Sequence, residues 1–472
     1  MPLPSATFLP SPTATEIVRT PVAKLATAVS SPSIKVYESA VTFQAYPFEK
    51  GWRTRQDPAN HFTFNAFDRS AFDAAVAAQP PAPKTIRAVI IENEFLRLTF
   101  LPELGGRLFQ ITFKPTNQEL FYNNRVLKPT NWGPPNQGGW LAVGGMEWAL
   151  PVSEHGYEWG IPWQSSVTQD ANGATITLTD SQANDRVRTR IQVTLPAHSA
   201  YIVVHSRIEN PTAAATRLQF WINAQITLNS GKNVSPNTEF ILPTEAVLVH
   251  STGNRFIPVS NIPRDGAKTP AASFDWPLVA GRDLSRYADW EDYLGVFVPS
   301  PMQPFAGAYN HDTDLGIVRV FPSQAAGVKL FAFGPKFCCR DQISDDDSDY
   351  FELWGGLPRT FFADDDVTLA PSEAREWNEY WLPFVRTGGL SAAARDAVLF
   401  VTREGSTARV SIYSAVARSG KLVVSQSGRV ISNQSIELEP TVPFRVIVPI
   451  SSGKVKVQLV DNKGVVILET DR

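Results

Sequence analysis

The feature that most constrains this chain is its series of short runs in which apolar and polar residues alternate. Pro, Gly, Asn or Asp closes each run. RAVIIENEFLRLTFLPELGGRLFQITF begins the series at Arg87 and is punctuated by Gly105-Gly106. ATITLTD, RTRIQVTL, AYIVVHSRIEN, TRLQFWINAQITL, EAVLVHST, GIVRVFP, VKLFAFG and YFELWGG follow. A repeat of two is the signature of a strand with unlike faces, and short strands at this spacing predict a large antiparallel sandwich. The 37 Pro and 3 Met agree with an all-β, loop-rich chain. The longest helix expected is short, near SAAARDAVLFV. Aromatic residues make up 11% and charged residues 19%, which excludes a wholly disordered chain.

Two stretches differ from this pattern. Residues 1–36 are rich in Pro, Ser, Thr and Ala, cannot bury a core, and are expected to form a flexible linker. They lack the charged start and apolar run of a signal peptide. Their composition matches the stalk that follows a lipidated cysteine, so an exported, cell-surface protein whose signal and lipid anchor lie upstream is the expectation, with a cytoplasmic one as the alternative. Around Thr387-Gly388-Gly389-Leu390 the strand pattern restarts. Residues 391–472 read as a small immunoglobulin-like β domain without Trp, His or Cys, which leaves 37–390 as the main domain.

Lys and Arg total 43 against 46 Asp and Glu, a formal charge of -3, so nucleic acid is not an expected partner. No uninterrupted apolar stretch approaches the roughly 20 residues of a membrane span. Cys338 and Cys339 are adjacent. A disulfide scaffold and a zinc site of paired CxxC motifs are therefore excluded, and two free or buried thiols are expected, because a bond between neighbours closes a strained ring. Asp345-Asp346-Asp347 and Asp364-Asp365-Asp366 lack the spacing of a calcium loop and read as solvated turns. No metal or cofactor is expected.

The chain has only six histidines. His155 stands out through its surroundings, GGWLAVGGMEWALPVSEHGYEWGIPW, where Trp132, Trp140, Trp148, Trp159 and Trp163 cluster. Such a cluster is either a core or a binding surface, and apolar patterning does not separate the two. As a surface it suits the C–H face of a sugar ring, with Glu, Asn and His for the hydroxyls. Glu352, in DYFELWGG, shares a strand face with Tyr350 and Trp354. It is either solvent-facing, or buried and paired, or lining a pocket.

These segments resemble a known family. IENEFLRLTFLPELGGRLFQITFKPTNQELFYNN looks like the opening strands of the galactose-mutarotase-like (aldose-epimerase-like) superfamily, and the His155 segment looks like the one that follows. The chain is similar in particular to an uncharacterised bacterial subfamily of these domains, sometimes fused to tetratricopeptide repeats. There FWINAQITL, TEFILPTEAVLVH, DLSRY, GAYNHDTDLGIVRV, YFELWGG and EWNEYWLPF recur in this order. The resemblance covers roughly residues 35–400 and implies a β-supersandwich with a sugar-binding concave face. It places His155 on the family's general acid and Glu352 on its general base. From their place among the clustered aromatics and beside that pair, Trp148, Glu147, Trp159, Trp221 and Asn223 are expected as substrate contacts. Two departures alter the substrate clamp. Trp221 and Asn223 stand where mutarotases carry a second histidine, and Asn136-Gln137 replaces an arginine before the Gly-Gly, while Arg107 reads as structural.

The expected function is a carbohydrate-binding or carbohydrate-active protein with mutarotase-like acid–base chemistry on a pyranose. The alternatives are a non-catalytic carbohydrate-binding surface protein, and a glycoside hydrolase or lyase in which Glu147 or Glu158 partners Glu352.

Overall fold

A computed structural model describes residues 34–56, 63–132, 138–150, 154–180, 184–231, 233–253, 256–262 and 271–472. The first 33 residues of the linker expected over 1–36, and the pair at 136–137, lie outside the described residues. At the edge of that linker, Ile34 is buried in the main core and the first strand, Lys35–Ala45, has already begun. Residues 34–36 are therefore not part of a linker, because Val36 pairs with Ile91 across the sheet.

The chain is all-β, as its alternation predicts. A 14-stranded sheet and an 8-stranded sheet stack face to face. Their inner faces share one apolar core, with Trp148, Ile222, Leu330 and Leu353 from the larger sheet meeting Val193, Val204 and Trp381 from the smaller. The middle of the larger sheet runs in the order Leu294–Phe297, Gly327–Ala332, Phe351–Gly356, Trp221–Ile226, Gly145–Ala149, Arg107–Phe113, every pair antiparallel. Each of these strands is buried along its whole length. One face meets the smaller sheet, and the other lies beneath loops and the strands of the chain's first third. A second core on that outer side holds Phe43, Phe67, Phe109, Trp140 and Trp159.

The predicted helix near SAAARDAVLFV is two strands, Ala392–Ala394 and Ala397–Glu404. Local alanine propensity yields to cross-strand pairing with Thr407–Ser414. The pairing sends Val398 into the main core and Leu399 into a separate C-terminal core. The one α-helix among the described residues is Arg69–Ala78, capped by the Asp68 carboxylate, which accepts from the Ala71 N–H at 3.1 Å.

Beyond residue 390 two four-stranded antiparallel sheets enclose their own core, including Val410, Leu422, Val424 and Val457. Leu390, Val398, Tyr413 and Ala415 join the main core, and the Ala200 N–H donates to the Ala415 carbonyl at 2.7 Å. Cys338 and Cys339 are disulfide-bonded to each other, not free thiols. They sit in the turn between Phe337 and Arg340, where the chain reverses and both sulfurs can meet. No helix among the described residues is long and apolar enough to cross a membrane.

Candidate functional site

Strand register builds the site. Across four adjacent strands Lys329, Trp354, Asn223 and Glu147 stand opposite one another in a row. Two residues along the same strands, Phe331, Glu352 and Gln225 form the next row. Side chains alternate with a period of two, so both rows project from the same outer face. Trp148 follows Glu147 directly and therefore points the other way, into the main core, where its indole N–H donates to the Gly106 carbonyl at 2.8 Å.

Above the outer face lies a cavity of about 410 Å³. Its ionisable walls are Glu154, His155, His250, Lys329 and Glu352, and its aromatic walls are Trp132, Trp140, Tyr293 and Phe331. The two residues expected to carry proton transfer thus share one cavity. Glu154 takes a left-handed backbone conformation (φ 59°), a turn that lets it and the adjacent His155 both reach the cavity.

His155 is held from three sides. Its ring lies flat on Trp140 (centroids 3.8 Å apart, planes at 5°) and meets the edge of Trp354 at 5.2 Å. Its Nδ1 is 2.5 Å from Glu147 Oε1. The same carboxylate accepts from Asn223 Nδ2 at 2.9 Å and from Arg107 Nη2 at 3.0 Å. Burial alone raises the Glu147 pKa, but His155, Arg107 and Asn223 outweigh it and hold the carboxyl below its ordinary range. An ionised Glu147 requires a proton on Nδ1, which leaves Nε2 as the ring nitrogen that can serve the cavity.

Glu352 is the counterpart. Its Oε2 accepts from the Trp354 indole N–H at 2.8 Å. Burial pushes its pKa up, against the opposing pull of His155 and Lys329. Glu154 behaves in the opposite way. Although burial disfavours its charge, His250 and Lys329 bring its pKa down to about 2. His250 Nε2 lies 2.8 Å from Glu154 Oε1 and its Nδ1 lies 3.1 Å from Ser251 Oγ. Burial and Lys329 lower the His250 pKa, which fits a neutral ring donating to Glu154 and accepting from Ser251.

Several expected contacts lie elsewhere. Trp148 is in the core between the sheets. Trp159 packs on Trp52 and Phe67 at 4.6 and 5.2 Å, away from the cavity. Trp221 is fully buried beneath Phe361 and Trp354 and does not line the cavity. Asn223 and Glu147 do not line it either, and act by fixing His155. Arg107 is structural, as expected, and closes the same cluster by donating to the Gly144 carbonyl at 2.7 Å. Of the two carboxylates considered as partners for Glu352, Glu147 is ion-paired to Arg107 and Glu158 to Arg186. Glu154, His250 and Lys329 were not singled out from the sequence. Lys329 had a legible signal, a lone charge inside the apolar strand VKLFAFG; Glu154 and His250 had none beyond their residue types.

The fold is similar to that of a TPR-domain-containing protein from Parabacteroides distasonis, with TM-score 0.58 and 19% identity over 75% of this chain. This chain spans 56% of that protein's length. A galactose mutarotase-like protein from Clostridium acetobutylicum matches 64% of this chain and 95% of its own length at 11% identity and TM-score 0.44. A galactose mutarotase related enzyme from Lactobacillus acidophilus matches 63% of this chain and 97% of its own length at 12% identity and TM-score 0.41. A family model covers residues 59–384, and the chain belongs to that family, a domain of unknown function designated DUF5107.

Proposed function

We propose that the cavity binds a sugar and that His155 and Glu352 exchange protons with it. The observation that carries this is the division of charge within one cavity. Glu147 is committed to Arg107 and His155, and Glu154 to His250, while the His155 Nε2 and the Glu352 carboxyl remain for a ligand. Opening a cyclic hemiacetal needs one proton delivered to the ring oxygen and one removed from the anomeric hydroxyl. In this reading protonated His155 donates from Nε2 and ionised Glu352 accepts; closure on the other face reverses the roles. Burial makes the Glu352 carboxylate a stronger base than a solvated one. Trp140 fixes the imidazole plane, and Trp132, Tyr293 and Phe331 offer apolar faces to the ring C–H groups.

The test is anomer exchange by NMR on a panel of aldoses. Glu352→Gln should abolish acceleration while sugar binding persists, because the amide keeps the shape and loses the proton transfer, and His155→Gln should abolish it as well. Full acceleration in Glu352→Gln overturns the assignment, and sugar binding without acceleration by the wild type leaves a binding protein.

One observation favours a second reading. Glu352 has a raised pKa and Glu154 is held ionised on the same cavity, the opposed pair that glycosidic cleavage employs. Release of reducing ends from an oligosaccharide, lost in Glu154→Gln, would select it.

A further inference from the structure

Lys329 poses a problem that neither reading resolves. It sits mid-strand between the buried Val328 and Leu330, is 2% exposed, and lines the cavity. Taking an ammonium out of water is costly unless an anion and hydrogen-bond acceptors replace the water. Among the described residues its Nζ makes no direct ion pair and no hydrogen bond, and the carboxylates of Glu154, Glu352 and Glu147 act on its charge only from farther off. Its nearest groups are rings: its Nζ lies 4.4 Å from the centroid of Trp354, 4.5 Å from Phe361 and 5.5 Å from Phe331. Ring faces stabilise the charge but use none of its N–H donors as a carboxylate would.

None of the surrounding carboxylates contacts the ammonium directly. Glu147 accepts from Arg107, Asn223 and His155, Glu154 is paired with His250, and Glu352 accepts from Trp354. The donors of Lys329 are thus left for whatever enters the cavity. Asn131 and Ser251 on the same walls add polar groups. A single ammonium, with an ionised Glu154 on the same cavity, suits one negative charge and not the dianion of a phosphate.

We infer that Lys329 recognises the carboxylate of a uronic-acid unit, so that the ligand is an acidic sugar. This rests on the sugar-binding reading above and narrows it.

The test titrates the full chain with the methyl glycosides of galacturonate and glucuronate and of galactose and glucose, by calorimetry at neutral pH. A uronate should bind about tenfold tighter or more than its neutral counterpart, the scale of one charge-assisted contact. Lys329→Met should remove that preference, and Lys329→Arg should keep part of it. Equal binding of both classes by the wild type overturns the inference, and that comparison does not depend on a variant folding. A preference that survives in Lys329→Met overturns it as well. Binding of neutral sugars alone sinks the inference and spares the sugar site, whereas binding of neither class sinks both.

Discussion

Glu147→Gln is the most informative perturbation of the buried charge cluster. The Arg107 and Glu147 side chains are 1% and 3% exposed and 3.0 Å apart. The amide keeps the shape of the carboxylate but leaves the guanidinium without a counter-charge and the His155 Nδ1 proton with a weaker acceptor. Removing one partner of a fully buried pair costs about 3–5 kcal/mol. Neutralising both partners costs far less than the two single changes added together, because no lone charge remains. Glu147→Gln, Arg107→Met and the double variant should therefore show strong positive coupling in urea unfolding followed by tryptophan fluorescence. The loss also depends on pH. The folded-state pKa of Glu147 is depressed below its ordinary 4.5. Its stabilisation is thus present above that ordinary value and is lost as pH falls through the lower folded value. The gap between wild type and Glu147→Gln should be full at neutral pH and narrow in acid. A cost below about 1 kcal/mol, the level of an exposed pair, or strict additivity in the double variant would refute the claim that this pair organises the site.

Three further outcomes follow from the same geometry. Glu352 is raised above its ordinary 4.5, so the folded state is penalised as pH rises through that value. Glu352→Gln should accordingly melt about 1–2 °C or more above wild type at neutral pH, with the gain shrinking in acid; a lower melting temperature at neutral pH contradicts this. Gly144 has φ 103°, and a Cβ there would run into the Tyr122 carbonyl, so Gly144→Ala should cost at least about 1–3 kcal/mol in strain and loosen the strand that carries Glu147. Its thermal melt should fall clearly below wild type, and an unchanged melt would show that the backbone relaxes freely. Thr387 and Gly389 are buried where the small C-terminal sandwich begins, and Val398 and Tyr413 enter the main core. Limited proteolysis should therefore cut at 386–390 only at the rate of global unfolding, and early release of a folded C-terminal fragment would refute that.

The fold class was legible because strand alternation and turn residues are local properties. RLFQITF, YFELWGG and WINAQI are strands for reasons contained within a few residues of each. The pairing of His155 with Glu352 came from family resemblance, and on bare residues Glu352 stayed ambiguous between surface and pocket. Trp148 shows why. Its place in a tryptophan-rich loop suggested a sugar platform, yet one step of strand register turns it into the core and turns Glu147 outward. Register is set by partners far along the chain, as when Glu147 meets Asn223 and Asn223 meets Trp354. His250 and Glu154 are 96 positions apart, and only the stacking of separate strands puts them 2.8 Å from each other. The alternation along each run determined that the chain forms sheets. Which buried charges meet, and which one is left without a partner, depends on the order and offset of strands drawn from the whole sequence, and only the tertiary structure decided that.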